Sequence, residues 1–194
     1  GVQCGQITEV YDGHDFTHKL SLKDLETKFT RTEITDQGVE FYNLGQPIPE
    51  EYIITHRLRA RDVKEYRIMG AWYFDRNAGE LKYRLLGLCP VVTDIATMGS
   101  EAESTTELFW IFFPDAREVL FKNYAYNERN NRLQSNFDSL FNARRFSGTI
   151  YQTDNVYGNY SISEYVRDNA MLQLLEAERI KESIRDFEDD LWNY

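Results

Sequence analysis

Nothing in this 194-residue chain equips it to hold a phosphate backbone, to cross a bilayer as a helix or to staple itself with a disulfide framework. Acidic residues outnumber basic ones 32 to 22, for a formal net charge of −10. Nucleic-acid binding depends on Lys and Arg displacing counterions, so a nucleic acid is excluded as a partner. The longest apolar run, Leu108 to Phe113, falls far short of the roughly 20 residues that a membrane-spanning helix needs. Gly1 to Gly5 contains no basic stretch leading into an apolar one, so no signal peptide is read there. The chain opens without Met and reads as processed or truncated, so its start says nothing about compartment.

Cys4 and Cys89 are too few for a disulfide scaffold and too far apart for a zinc motif. They are either two separate thiols or a single bridge in an oxidising compartment, and the residues leave both open. Templates for catalysis also find no match. There is no Gly-x-Ser-x-Gly, no glycine-rich phosphate loop and no Cys paired with a recognisable His motif.

What the chain does have is aromatic side chains: 13 Tyr, 12 Phe and 3 Trp. Large amphipathic rings serve both cores and protein interfaces. With 42% apolar and 28% charged residues the chain is globular rather than disordered.

Ser21 opens a helix over about 21 to 30, with Leu22, Leu25 and Phe29 on one face. Gly38 to Pro49 reads as a turn-rich connection because Gly45, Pro47 and Pro49 interrupt any regular element. Val63 to Asp75 and Glu80 to Val92 are aromatic and β-branched runs joined by Arg76-Asn77-Ala78-Gly79, which predicts an antiparallel hairpin. Thr97 to Thr106 is polar and predicts a loop; Leu108 to Phe113 predicts a strand buried on both faces; Pro114 and Asp115 open a short helix to Lys122. Gln134 to Phe146 predicts a helix ended by Ser147-Gly148.

The last segment carries the clearest pattern. A helix starting at Ser161 or Ser163 and running roughly 28 residues would place Val166, Ala170, Leu174, Ala177, Ile180, Ile184, Phe187 and Leu191 along one narrow apolar stripe. The predicted class is α+β: a small antiparallel sheet with flanking helices and a long carboxy-terminal amphipathic helix. Residues 1–60 form an amino-terminal segment with one short helix and a turn-rich connection, and residues 61–194 form the α+β region.

Candidate chemistry is sparse. His14 and His18 stand four apart, a spacing that brings imidazoles together on a helix, but Asp12-Gly13 predicts a turn and no third ligand is near. Glu188-Asp189-Asp190 reads as a hydrated charge run rather than a metal cluster, and since negative charge there opposes the helix macrodipole it also suits a basic partner surface with Leu191, Trp192 and Tyr194 as apolar anchors. The expected contact residues are Val166, Leu174, Ile184, Phe187, Leu191, Trp192 and Tyr194. Val166, Leu174 and Ile184 also fit packing within their own chain.

Several blocks together resemble one family. Glu65-Tyr66, Trp72 to Asp75 and Arg84 to Val91 form a paired segment; Leu108 to Pro114 with Arg117 forms a second block; Phe137 to Phe141, Arg144 to Ser147 and Asn155 to Tyr157 form a third; Leu174 to Glu182, Phe187 and Asp190 to Trp192 form the carboxy-terminal signature. In this order and spacing they resemble the PorN/GldN proteins of the type IX secretion and gliding-motility machinery of Bacteroidota.

The resemblance implies a non-enzymatic periplasmic ring subunit without cofactors. Its expected partners are an outer-membrane lipoprotein of the PorK/GldK type, motor proteins of the PorL/PorM type, and further copies of itself. It also implies an oxidising compartment, which puts a Cys4–Cys89 bridge level with the reading of two separate thiols. Another class of reading is a small periplasmic hydrolase using a carboxylate pair or a metal at His14 and His18, or a peptidoglycan-binding module.

Overall fold

A computed structural model of the chain describes residues 7–94, 97, 104–126, 135–156, 158–167 and 169–191, the last without its side chain. In chain order the elements are α1 (Leu22–Phe29), β1 (Thr30–Ile34), α2 (Asp36–Asn43), β2 (Ile53–Arg57), β3 (Val63–Asp75), β4 (Glu80–Thr93), β5 (Thr105–Glu107), β6 (Ile111–Phe112), α3 (Phe113–Lys122), β7 (Tyr124–Ala125), β8 (Ser135–Asn136), α4 (Phe137–Asn142), α5 (Ile162–Tyr165) and α6 (Ala170–Leu191). The class is α+β, with small antiparallel sheets and a long terminal helix. The chain divides into two compact units, Gly1–Gly70 with Leu85–Asp138, and Ala71–Arg84 with Ser139–Tyr194.

The first unit is organised by β4. From Leu88 to Thr93 every residue of this strand is buried, because β3 lies on one edge and β5 and β6 share the other. Val91 pairs with Glu107 and Gly87 with Phe112, so the facing chain carries one extra residue between the two pairings. Pro90 explains the interruption. It has no N–H to donate, and opposite it the run Leu108 to Phe113 bulges rather than continuing as the single strand its composition predicts. Of that run only Ile111 and Phe112 are strand; Leu108, Phe109 and Trp110 remain buried in the bulge.

The bulge is closed from outside by the amino-terminal arm. Tyr11 and Trp110 exchange two backbone hydrogen bonds of 2.8 and 2.7 Å. Ile7 and Val10 join Leu25, Leu58, Val92, Leu108 and Phe109 in one core cluster, and Tyr11, Cys89 and Trp110 form a second with Phe16, Met69 and Phe112. Periodicity alone shows no element in residues 7–20, yet they cover the sheet.

Helix α1 begins as its sequence predicts. Ser21 and Asp24 form a reciprocal capping box, with the Asp24 N–H donating to Ser21 Oγ at 3.3 Å and the Ser21 N–H donating to the Asp24 carboxylate at 2.9 Å. The next segment departs from expectation. Gly38 to Asn43 belongs to α2, capped by the Thr35 hydroxyl, and only Leu44 onward is a connection. Gly38 is tolerated in that helix because it lies against β1 and the turn that precedes β2: an added Cβ would lie 2.6 Å from Ile34 Cγ2 and 3.0 Å from Tyr52 Cβ. A two-stranded sheet, β1 with β2, flanks this helix.

In the second unit the hairpin tip follows prediction. Asp75 accepts the N–H groups of Asn77 and Ala78, Gly79 closes the turn with a 2.8 Å bond to the Asp75 carbonyl, and its φ of 65° is the left-handed conformation that glycine adopts freely. The helix expected over Gln134 to Phe146 is shorter, Phe137–Asn142. Among the residues before it, 134 lies outside the described set.

Candidate interaction surface

The terminal helix was expected to run unbroken from Ser161 or Ser163, and it does not. Ser161 caps only the single turn of α5, donating from its N–H and hydroxyl to the Glu164 carboxylate at 2.5 and 2.8 Å. The backbone then leaves helical geometry at Val166, with φ −109° and ψ 83°. Asn169 starts the chain again, its side-chain oxygen accepting the Leu172 N–H at 3.1 Å. Two capping signals lie eight residues apart, and each opens its own helix. Val166 is therefore not on the terminal helix. It is partly buried, and its carbonyl accepts Gln173 Nε2 at 2.8 Å.

The apolar stripe divides accordingly. Ala177 is buried, and Gln173, Ile180 and Ile184 are partly covered on the same helical side. Leu174 and Phe187 face solvent, 53% and 54% exposed. Leu191 closes α6 but its side chain, like all of Trp192 and Tyr194, lies outside the described residues.

One feature escaped periodicity. Met171, Leu172 and Leu175 are half or more exposed and, with Leu174, surround the first two turns of α6 away from the covered side. The segment from Ala170 to Leu175 is apolar nearly all round, with Gln173 as its one polar residue, and that was the available signal. An isolated exposed leucine is ordinary, whereas a contiguous cluster of four is a candidate contact site.

Charge takes over further along. Arg179 pairs with Glu176 at 2.6 Å and Lys181 with Glu178 at 3.3 Å, both at i,i+3 spacing. The Arg179 hydrogen bond holds the Glu176 carboxyl below its ordinary range. Helix α6 thus presents an apolar start and a highly charged second half on one continuous rod.

Among the described residues elsewhere, several polar groups engage one another. Glu107 receives both Arg67 and Trp110 Nε1, the latter at 2.8 Å. Arg117 grips the largely buried Asp138 carboxylate through two bonds of 2.9 and 3.1 Å. Burial pushes the Cys89 thiol up to about 12, so it is not a thiolate at neutral pH and is unsuited to nucleophilic work. Cys4 lies outside the described residues, as does any Cys4–Cys89 bridge.

Arg144 is the most particular side chain of the second unit. It follows α4 in the left-handed conformation, φ 51°, as the Arg145 N–H reaches back to the Leu140 carbonyl. Its guanidinium lies 4.5 Å from the centre of the Trp72 ring and 4.7 Å from that of Tyr83. The helix end thereby locks onto the hairpin tip.

His14 and His18 are exposed in a bend rather than on a helix, and His14 sets its ring edge toward Trp110. No group of three metal-ligating side chains comes together among the described residues. Two surface depressions, one bordered by Lys23, Glu26 and Arg57 and the other by Leu58, Asp94 and Thr106, are open to solvent rather than enclosed. No described helix is long and apolar enough to cross a membrane.

Comparison with known proteins gives one finding of weight. The family described as gliding motility associated protein GldN matches residues 1–193, essentially the full length, including the amino-terminal arm that closes the core. No curated protein matches the chain.

Proposed function

The chain belongs to the GldN family of gliding motility associated proteins, and on that premise we propose that it is a structural, non-catalytic subunit of a periplasmic ring in the type IX protein secretion and gliding machinery. It docks on an outer-membrane lipoprotein of the PorK/GldK type, connects to motor proteins of the PorL/PorM type, and repeats around the ring with further copies of itself. Contacts that are individually weak become strong when repeated around a closed assembly.

The observation that carries this reading is the exposed apolar start of α6, together with Phe187 further along the same helix. A monomer gains nothing by holding four large apolar side chains in water at roughly 25 cal/mol per Å², and a partner surface recovers that energy. The contact residues proposed are Leu174 and Phe187, joined by Met171, Leu172 and Leu175, with Leu191, Trp192 and Tyr194 continuing the helix. Val166 and Ile184 are assigned to packing within the chain. The acidic residues at the end of α6 complement a basic partner.

Co-expression with the lipoprotein tests the proposal. Replacing Phe187 and Trp192 together by Ala is expected to abolish co-purification and leave the circular dichroism spectrum unchanged. Undiminished co-purification would remove the terminal helix from the interface.

A further inference from the structure

The two-stranded sheet of the first unit has an edge whose chemistry matches itself. The register pairs Thr30 with Arg57, Thr32 with Thr55 and Ile34 with Ile53. Beyond the strand ends, the Leu58 N–H donates to the Phe29 carbonyl at 2.8 Å and the Thr35 N–H to the Tyr52 carbonyl at 2.9 Å. In an antiparallel ladder hydrogen-bonded pairs alternate with non-hydrogen-bonded ones. Positions 29, 31, 33 and 35 therefore turn their backbone groups toward β2. Thr30, Thr32 and Ile34 turn theirs outward.

No other described strand lies along that outer edge. Three N–H and three C=O groups thus line one side of β1. Such an edge is a template for a further strand. The short run of Thr30-Arg31-Thr32-Glu33-Ile34 specifies which strand.

A second β1 brought in antiparallel about a two-fold axis through Thr32 sets Thr30 opposite Ile34, Thr32 opposite Thr32, and Ile34 opposite Thr30. All three are outward-facing on both strands, so each pair exchanges two hydrogen bonds. The intervening positions set Arg31 opposite Glu33 twice, once on each side of the axis. Arg31 and Glu33 already share one face and one ion pair of 3.1 Å, so both are oriented for this exchange. Opposite charges and Thr–Thr pairs in cross-strand positions are each stabilising. The other edge has no such match: the same operation on β2 puts Ile54 opposite His56 and Ile53 opposite Arg57.

We infer that β1 is a self-recognition strand, through which two copies of this chain join their two-stranded sheets into one of four strands. The net charge of −10 makes this local complementarity necessary, because two copies otherwise repel. The inference uses the first unit alone and does not rest on the function proposed above. A two-fold contact also leaves the remaining surface free for other neighbours.

Sedimentation equilibrium on the full chain tests it, with unfolding midpoints measured alongside. The wild type is expected to reach twice its 22.9 kDa mass as concentration rises. Thr32→Pro removes an outward N–H at an edge position, where the fixed φ of proline is tolerated, so it should abolish the dimer and keep the midpoint. Arg31→Glu and Glu33→Arg each place like charges opposite one another and should weaken the dimer roughly tenfold or more. The double variant restores opposite pairs and should return the dimer to within about threefold of wild type. Thr32→Cys should form a disulfide to its own copy, and Thr55→Cys should not. A chain that stays monomeric, a dimer indifferent to Thr32→Pro, or single reversals that the double variant does not repair would each overturn the inference.

Discussion

Strand β4 and helix α6 treat apolar side chains in opposite ways. Along β4 the apolar residues meet partners on both sides, and even Trp110 in the facing bulge is about 1% exposed with its N–H bonded to Glu107. Along α6 the apolar residues outnumber the places their own chain offers. Among its described side chains only Ala177 is buried, while Met171, Leu172, Leu174, Leu175 and Phe187 face water. Similar composition thus serves two purposes: in the first case it holds the monomer together, and in the second it remains available. The difference lies in what the neighbouring chain supplies, since β4 has strands on both edges and the first turns of α6 have a covered side only.

Substitutions should separate stability from association. The largest loss of stability is expected from Trp110→Ala, which empties a filled site in the bulge and should cost about 3 to 5 kcal/mol in denaturant unfolding. A loss below about 1 kcal/mol would show that the bulge is not part of the core.

A second effect comes from the same strand by way of pH. The Cys89 thiol, with an ordinary value of 9.0, is pushed up to about 12 by burial. A group raised on folding stabilises the native state fully below its unfolded value and loses that contribution as pH climbs toward its folded value. Between pH 9 and 12 the unfolded chain ionises while the native one does not. The wild type should therefore lose stability relative to Cys89→Ala by at most about 1.4 kcal/mol per pH unit. Below pH 8 the difference should be flat. Paired unfolding curves across that range check both statements.

Arg144 gives a smaller effect and sharpens the description of the second unit. Arg144→Ala removes a guanidinium stacked on two rings and should cost about 1 kcal/mol. Arg144→Gly should cost less, because glycine adopts the left-handed φ of 51° without strain. Thermal melts of the two variants compare them directly. Equal losses would mean that the backbone at this position carries no strain.

The smallest change in stability belongs to α6. Leu174→Ser and Leu175→Ser should each alter unfolding free energy by less than about 0.5 kcal/mol, as exposed positions do. The same pair should nevertheless diminish co-purification of the lipoprotein. Together with Trp110→Ala, which should do the reverse in a properly folded fraction, these variants would place the two kinds of apolar surface on separate axes.

Much of the fold was readable from residues wherever a local rule acts alone. The hairpin β3–β4 has its runs and its Asp75 to Gly79 turn written in the sequence, and Ser21 announces α1. Reading failed where two rules competed or where a partner segment decided the outcome. Leu108 to Phe113 is a strand by composition, but Pro90 opposite it withholds a donor and turns half of the run into a bulge. Ser161 and Asn169 are both valid helix starts, and periodicity of the apolar residues runs straight through the break between them. The strands β1 and β2 are half-exposed and polar, so alternation is faint, and Tyr11 gains its buried position only by pairing with Trp110.

For the surface, spacing identifies Leu174 and Phe187 but not Met171, Leu172 and Leu175, because a stripe lies on one side of a helix. Absence of polar residues around the whole circumference was the better signal. Val166 entered the stripe by spacing and leaves it because the backbone bends there.

Hydrogen–deuterium exchange of the full chain, free and with the PorK/GldK-type lipoprotein proposed as its partner, bears most directly on the terminal helix. Peptides from residues 170–191 should become protected in the complex, while those from β4, already buried, should keep their rates. A complex that forms with the exchange of residues 170–191 unchanged would contradict the assignment of α6 as a contact helix.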